Sequence, residues 1–171
     1  MKKNLVFPVF TALSFFFTSC SVNKAKIDND LKQYFDASKV DGCFTLLDNT
    51  DGSVRVYNMG LDTMRFSPAS TFKIVNSLIG LQTGVITSDT MTIKWDAVQR
   101  PVEAWNKDMG MKEAFEVSCV PYYQEVARRI GRDTMRRWID TLSYGNMNID
   151  GPIDSFWLNN HLKISPDEQL G

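Results

Sequence analysis

The stretch from residue 66 to residue 84 reads FSPASTFKIVNSLIGLQTG, and it decides how the rest of the chain is understood. Ser67 followed by Pro68 is typical of a helix start, with the serine as N-cap and the proline at the first helical position. Apolar residues recur at helical spacing from Phe72 to Leu81, and Gly84 is expected to end the helix. The sequence therefore predicts one long helix over most of this stretch.

A hydroxyl and an amine lie three residues apart at the start of this helix. Ser70 and Lys73 share a face, because residues three apart are neighbours on a helix surface. The helix N-terminus favours negative charge at Ser70, and an apolar helix should partly bury Lys73 and lower its pKa. Such a pair can form an activated nucleophile. The spacing alone is weak evidence, since Ser21 and Lys24 repeat it in a polar segment where we assign it no meaning.

Composition excludes several classes of protein. The 171 residues are 43% hydrophobic and 23% charged, which is ordinary for a globular chain. Lys and Arg number 19 against 20 Asp and Glu, so there is no basic excess and we expect no nucleic-acid partner. Three cysteines, one histidine and no C-x-x-C pair are too few for a zinc cage, so we expect no metal.

The first 19 residues are typical of a bacterial export signal. Two lysines precede an apolar run of 13 residues from Leu5 to Phe17, shorter than the roughly 20 residues that span a bilayer. A small-residue pair leads into Cys20, where a lipoprotein signal places the cysteine that is lipidated. We predict a lipoprotein signal over residues 1–19, a lipid anchor on Cys20 and a place in the bacterial cell envelope or periplasm. A plain secretory peptide is the alternative.

A polar tether is expected over residues 20–28, before the folded domain at 29–171. Helical spacing then links four apolar residues, Ile27, Leu31, Tyr34 and Phe35. Residues 42–47 read as a mostly buried strand and 53–58 as a second strand, with a turn rich in Asp, Asn, Thr and Gly between them. The sequence predicts one hairpin here, which is marginal alone because a stable sheet needs about three strands or a covering layer.

Four further helices are expected after the one that carries Ser70. Their predicted bounds are 101–107, 111–116, 121–131 and 134–142, the last with Asp133 as N-cap and Met135, Trp138, Ile139 and Leu142 on one face. Arginine pairs at 128 and 129 and at 136 and 137 are expected on solvated faces. Ser165 and Glu168 form a capping-box pattern that opens another helix near the end of the sequence.

These residues resemble class D (oxacillinase-type) serine β-lactamases, most closely over residues 66–86, the active-site helix. Other motifs follow in the family's order: Lys94-Trp95-Asp96, Trp105-Asn106-Lys107-Asp108, Ser118-Cys119-Val120-Pro121, Tyr144-Gly145-Asn146 and Ile153-Asp154-Ser155-Phe156-Trp157-Leu158. Class A enzymes would carry Ser-Asp-Asn in place of Ser118-Cys119-Val120. The resemblance covers residues 42–165 and implies an α+β fold, the α/β sandwich of serine β-lactamases and penicillin-binding transpeptidases.

The resemblance also implies hydrolysis of β-lactams, penicillins foremost, through a serine acyl-enzyme that confers resistance. Ser70 would be the nucleophile, and its backbone N–H would supply half of an oxyanion hole. Lys73, as a neutral amine, would react with carbon dioxide to give N6-carboxylysine, a carbamate that serves as general base; no other cofactor is implied. Ser118 would pass a proton to the departing lactam nitrogen.

Other family-matched residues would support this chemistry. The apolar neighbours expected to keep Lys73 neutral are Phe72, Val120, Trp157 and Leu158. The motif expected to shape the site wall is Tyr144, Gly145 and Asn146. The indole N–H of Trp157 suits a carbamate oxygen, although without the other motifs Trp157 would be assigned to the core.

The remaining reactive side chains are expected to be structural. Cys43 and Cys119 read as small buried residues and not as a disulfide. His161, the sole histidine, is expected at the surface or in a loop with no catalytic role, which makes a Ser-His-Asp triad the weaker hydrolase hypothesis.

One family motif is absent, since no lysine precedes Thr-Gly or Ser-Gly, and Lys163-Ile164-Ser165 is not a substitute. We expect the strand that bears it, the adjoining strands and a helix to follow residue 171. Three hypotheses stay open: the N-terminal part of a lipid-anchored class D β-lactamase, a penicillin-binding or sensor protein acylated without turnover, or an inactive truncated fragment. The sequence indicates no oligomeric state.

Overall fold

The computed structural model describes residues 25–170, so the predicted signal, Cys20 and most of the tether lie outside the described residues. The elements are β1 (Lys26–Ile27), α1 (Lys32–Ser38), β2 (Phe44–Leu47), β3 (Val54–Tyr57), α2 (Met59–Asp62), α3 (Phe72–Gln82), β4 (Thr92–Ile93), β5 (Met109–Gly110), α4 (Met111–Glu116), α5 (Val120–Ile130) and α6 (Arg132–Thr141). This mixture confirms the predicted α+β class. None of the helices within 25–170 combines the length and apolar character needed to cross a membrane.

The predicted hairpin is confirmed as β2 and β3, which pair antiparallel with Thr45 opposite Val56. The turn forms because the Asp48 side chain accepts the Thr50 N–H at 2.9 Å and Gly52 adopts a φ of +72°. A short parallel strand, β1, pairs with the other edge of β3, so the sheet order is β1-β3-β2. The hairpin therefore belongs to a three-stranded sheet, while β4 and β5 pair separately.

The predicted tether is wrong at its C-terminal end. Residues 26 and 27 form β1, and Asp28 beside them is 8% exposed and ion-paired with Arg55 of β3. The Asp28 N–H also donates to Val56 O at 2.8 Å. Ile27 consequently lies in a strand and not on the helix, which begins at Lys32. A two-residue strand is too short to show alternating hydrophobicity, so only its pairing with β3 reveals it.

The expectation that residues 42–47 are mostly buried is also wrong. Phe44 and Leu46 are 46% and 45% exposed. Successive side chains in a strand point to opposite faces, and Thr45 shares the face of Val56, which is 1% exposed. Phe44 and Leu46 lie on the other face, which explains their exposure.

The core lies among three helices. Its largest fully buried helical side chains are Phe72 and Ile79 of α3, Tyr123 and Val126 of α5, and Met135 and Ile139 of α6. Helix α3 approaches α5 closely at Gly80, where an added Cβ would lie 2.8 Å from Ile86 Cδ1 and 3.3 Å from Val126 Cγ1. Buried polar groups also join the two helices, because Asn76 Nδ2 donates to Tyr123 O at 3.0 Å. The packing of α3 on α5 therefore fixes the position of both.

The start of α3 differs from the prediction. The chain forms a 3-10 turn at Ala69–Thr71 before α3 begins, and Ser67 caps no helix. Its hydroxyl instead donates to Trp157 O at 2.7 Å. Only part of the predicted apolar face is buried, since Leu78 and Leu81 are 58% and 41% exposed. Helix α3 is apolar on two sides, and periodicity alone does not say which side the core covers.

The later helices are predicted with mixed success. Helices α4 and α5 lie where expected, whereas the helix predicted over 101–107 is only a 3-10 turn at Glu103–Trp105. Helix α6 begins at Arg132, so Asp133 lies inside it and caps nothing. The reason is Gly131, whose φ of +77° lets α5 end and α6 begin with no loop between them.

A hydrogen-bonded clamp joins the end of the described chain to the segment before Ser70. The predicted capping box is confirmed, since Ser165 N donates to Glu168 Oε2 at 3.0 Å and Glu168 N donates to Ser165 Oγ at 3.2 Å. It opens a 3-10 turn at Asp167–Gln169. Arg65 donates to both carboxylate oxygens of Glu168, and Phe66 and Ile164 exchange backbone hydrogen bonds.

This clamp predicts an acid-sensitive contribution to stability. The Arg65 hydrogen bond lowers the pKa of Glu168 from 4.5 to about 2, so the folded state favours the ionised carboxylate. The contribution is present above pH 4.5 and is lost as the pH falls towards 2. We expect Glu168→Gln, which keeps an oxygen for the capping box, to lower the free energy of unfolding by about 0.5 kcal/mol at pH 7. Thermal unfolding at several pH values checks this, and a difference from wild type that persists at pH 2 would contradict it.

Candidate active site

Ser70 is exposed on the 3-10 turn that leads into α3. The residue before it, Ala69, adopts a φ of +46°, in the left-handed region that costs a non-glycine residue about 1–2 kcal/mol. A tertiary contact holds this conformation, because Ala69 N donates to Trp157 O at 3.1 Å. The turn therefore presents the Ser70 hydroxyl from a strained and anchored backbone.

Ser118 lies between α4 and α5 in another left-handed conformation, with a φ of +53°. Its N–H donates to Phe115 O at 3.1 Å, and Cys119 N donates to Ala114 O at 2.8 Å. These two bonds form a Schellman motif at the end of α4, in which glycine usually occupies the left-handed position. A serine in this position has a strained backbone, but its hydroxyl lies 3.2 Å from the Ser70 hydroxyl.

The three predicted catalytic residues meet as a hydrogen-bonded series. Lys73 Nζ donates to Ser118 Oγ, and Ser118 Oγ lies 3.2 Å from Ser70 Oγ. The Ser-x-x-Lys spacing predicts that hydroxyl and amine lie within reach of each other, whereas the structure gives Lys73 its hydrogen bond with Ser118. Ser118 therefore connects the buried amine to the exposed hydroxyl.

Burial sets the charge preference of Lys73. The side chain is 5% exposed, and this loss of water lowers the pKa of its amine. Cys119 has a smaller, opposing effect, which would raise this pKa. Burial thus disfavours the charged ammonium form of Lys73 relative to that of an exposed lysine.

Two of the four predicted apolar neighbours are buried together. Phe72 stacks on Trp157 with ring centroids 5.3 Å apart and an interplanar angle of 27°, and both side chains are at most 2% exposed. Val120 is half-buried at the start of α5, and Leu158 is 39% exposed. Within residues 25–170 the Trp157 indole N–H has no hydrogen-bond partner.

The Tyr144-Gly145-Asn146 motif holds a neighbouring chain segment in place. Asn146 N donates to Lys163 O at 2.8 Å, Asn146 Nδ2 donates to His161 O at 2.8 Å, and Lys163 N donates to Asn146 Oδ1 at 2.9 Å. The Tyr144 ring meets Phe72 edge-on at 5.8 Å. Its hydroxyl lies near Thr71 without a hydrogen bond of normal geometry, and burial raises the pKa of Tyr144. This arrangement places the motif beside the start of α3.

The other reactive side chains lie outside this cluster. Cys43 and Cys119 are free thiols; Cys119 is buried as predicted, whereas Cys43 is only half-buried. His161 is half-buried in a loop. Within the described part of the chain, no three His, Cys, Asp or Glu side chains are grouped to hold a metal ion. A cavity of about 240 Å³ is lined by Cys119, Trp95 and Trp105, but Ser70 and Lys73 do not line it.

The sequence does not predict two hydrogen bonds that support the site. Trp105 Nε1 donates to Val117 O at 3.0 Å and so braces the residue before Ser118. A half-buried tryptophan is expected to donate its indole N–H to some acceptor, but the sequence does not indicate that the acceptor of Trp105 is Val117 O. Ser67 bonds to Trp157 O across 90 positions, and its Ser-Pro context favours the N-cap interpretation instead.

The fold and this cluster define a class of protein in which a serine at a helix start is linked to a buried lysine. The chain belongs to the penicillin-binding protein transpeptidase domain family, whose signature matches residues 29–171.

Several relatives are named as β-lactamases, and several similar solved structures as class D β-lactamases. The chain is 41% identical over 163 residues to the probable β-lactamase YbxI of Bacillus subtilis, covering 95% of this chain and 59% of YbxI. FUS-1 (OXA-85), a class D β-lactamase from Fusobacterium nucleatum, matches with a TM-score of 0.81 at 35% identity, over 84% of this chain and 60% of that one. The predicted resemblance is confirmed, and the chain spans a little under two thirds of these relatives' length.

A receptor domain has a similar structure. The C-terminal domain of the Bacillus licheniformis BlaR penicillin-receptor matches with a TM-score of 0.80 at 32% identity. The match covers 85% of this chain and 58% of that domain.

Gly145 is expected to be essential for the wall motif. An added Cβ would lie 2.0 Å from Lys163 O, and the φ of +54° is unfavourable for alanine. We expect Gly145→Ala to lower the free energy of unfolding by about 3 kcal/mol or more, because backbone must move. Gly84→Ala is the matched control, since Gly84 has a φ of +72° but nothing within 4 Å of an added Cβ. Equal losses in the two variants, measured by chemical denaturation, would contradict this.

Proposed function

We propose that this chain is the nucleophile-bearing part of a class D serine β-lactamase, which hydrolyses β-lactams and so confers resistance to them. The observation that carries the proposal is the series from exposed Ser70 through Ser118 to buried Lys73. A serine hydroxyl needs a base to become a nucleophile, and a lysine whose pKa is lowered by burial can serve as that base without a histidine.

The proposed acylation moves one proton along this series. Ser70 Oγ forms a bond to the lactam carbonyl carbon while its proton moves towards Lys73 by way of Ser118. The backbone N–H of Ser70 supports the developing oxyanion. The carbon–nitrogen bond then breaks, and Ser118 delivers a proton to the departing nitrogen. Water attacks the ester in the second half-reaction, which returns the hydroxyl to Ser70 and releases the opened lactam.

Carbon dioxide is the one added group in this proposal. A carbamate on Lys73 would take the place of the amine as the general base and would serve both half-reactions. Its formation requires a neutral amine, which burial of Lys73 favours. The indole N–H of Trp157, without a partner among the described residues, is a suitable donor to a carbamate oxygen. Phe72 and Trp157 would exclude water from this side of the lysine.

A receptor that is acylated without turnover is the second candidate. The observation in its favour is the structural similarity to the BlaR penicillin-receptor domain. Acylation needs the same serine and base in both proteins, so the two candidates differ in the second half-reaction. They are therefore separated by the lifetime of the acyl-enzyme and not by its formation.

The test uses the full-length protein, with whatever sequence follows Gly171, and benzylpenicillin as the probe. We expect mass spectrometry to find a penicilloyl adduct on Ser70, and steady-state assays to find turnover that bicarbonate stimulates. Ser70→Ala should abolish both, a loss of at least about a thousandfold. Ser21→Ala, in the other Ser-x-x-Lys sequence, is the matched control and should retain activity.

Each other outcome has a definite meaning. A stable adduct on Ser70 without turnover would replace the hydrolase with the receptor. A full-length protein that forms no adduct would overturn both candidates. Turnover that bicarbonate does not stimulate would contradict the proposed carbamate on Lys73, but Ser70 would still be the nucleophile.

We also propose that the protein is exported and held at the bacterial cell envelope by lipid on Cys20. The support is the sequence of the first 20 residues. In a bacterial host the wild type should label with palmitate and sediment with membranes, whereas Cys20→Ser should be unlabelled and soluble. Cys43→Ser is the matched control and should behave like the wild type. Unlabelled wild type in the periplasm would favour a plain secretory peptide.

A further inference from the structure

One backbone oxygen joins the nucleophile turn to the tryptophan loop. Trp157 O accepts two hydrogen bonds, from Ser67 Oγ at 2.7 Å and from Ala69 N at 3.1 Å. The two donors lie on either side of Pro68, and Ala69 immediately precedes Ser70. The position of this single oxygen therefore influences the backbone that carries the nucleophile.

The bond from Ser67 is suited to holding strained backbone. Ala69 has a φ of +46°, and its own N–H bond to Trp157 O is the longer of the two. Because the ring of Pro68 fixes its φ angle, holding Ser67 in place also limits the positions that the Ala69 backbone can adopt. The Trp157 side chain is immobilised by stacking on Phe72, which makes its carbonyl a firm anchor.

We propose that Ser67 is a positioning residue, which holds Ser70 in its reactive orientation through Trp157 O. The proposal rests on the function proposed above, since it concerns the acylation step. Ser67 acts on the rate at which Ser70 attacks and not on the protonation of Lys73. Loss of its hydroxyl leaves Trp157 O with the Ala69 bond, so no buried acceptor loses its last partner.

The experiment measures acylation of full-length Ser67→Ala by benzylpenicillin in single-turnover mode, at saturating bicarbonate so that the state of Lys73 does not limit the rate. We expect the maximal acylation rate to fall about fivefold, the equivalent of one neutral hydrogen bond, with the dissociation constant of the initial complex unchanged. Ser67→Thr, which retains the hydroxyl, should restore the wild-type rate. The pH dependence of acylation should keep its midpoint, because the surroundings of Lys73 are unaltered.

Thr141→Ala is the matched control, because Thr141 Oγ1 donates to Arg137 O at 2.7 Å at the end of α6. It should lose similar stability and acylate at the wild-type rate. If Ser67→Ala fails to fold, Ser67→Cys keeps the volume with a weaker donor and should acylate more slowly than wild type. A wild-type acylation rate in a folded Ser67→Ala or Ser67→Cys, or a shifted pH midpoint, would overturn the positioning role. Failure of the wild type itself to be acylated would instead overturn the proposed function.

Discussion

The site depends on keeping one amine away from water. A lysine is seldom buried, because its ammonium group loses hydration that an apolar interior cannot replace. Lys73 is nevertheless 5% exposed, and this burial lowers the pKa of its amine. The fold can hold it there because α3 is fixed against α5 at Gly80 and Asn76. Burial destabilises the charged form of Lys73 and lowers its pKa. The packing of α3 on α5 therefore also determines the basicity of this amine.

Two strained residues complete the arrangement. Ala69 and Ser118 both have left-handed backbone that glycine would adopt more easily, and one precedes the exposed hydroxyl while the other carries the hydroxyl beside it. Each is held by bonds from outside its own residue: Ala69 by Trp157 O, and Ser118 by the Schellman motif of α4. The bond that holds Ala69 comes from a distant part of the chain, whereas the bonds that hold Ser118 are local to the end of α4.

Local patterns in the sequence predict much of the fold and of the candidate site. Helices α4 and α5, the hairpin and the capping box follow from signals within about ten residues, and the motifs that carry Ser70, Lys73 and Ser118 mark residues that the structure brings together. The failures concern partners distant in sequence. Ser67 satisfies every local rule for an N-cap, yet its acceptor is 90 positions away. A parallel strand of two residues likewise exists only through β3, which pairs with it from nearly thirty residues further along.

The same distinction explains which part of the site is more easily disturbed. Lys73 lies on a regular helix, whose own hydrogen bonds and core packing maintain it. Ser70 precedes that helix, and its segment relies on tertiary bonds to a region almost free of regular structure: Phe66 with Ile164, Ala69 with Trp157 and Thr71 with Gln169. Segments with few local bonds open at lower free energy than helices packed in a core. A disturbance of residues 157–169 should therefore displace the nucleophile before it alters the base.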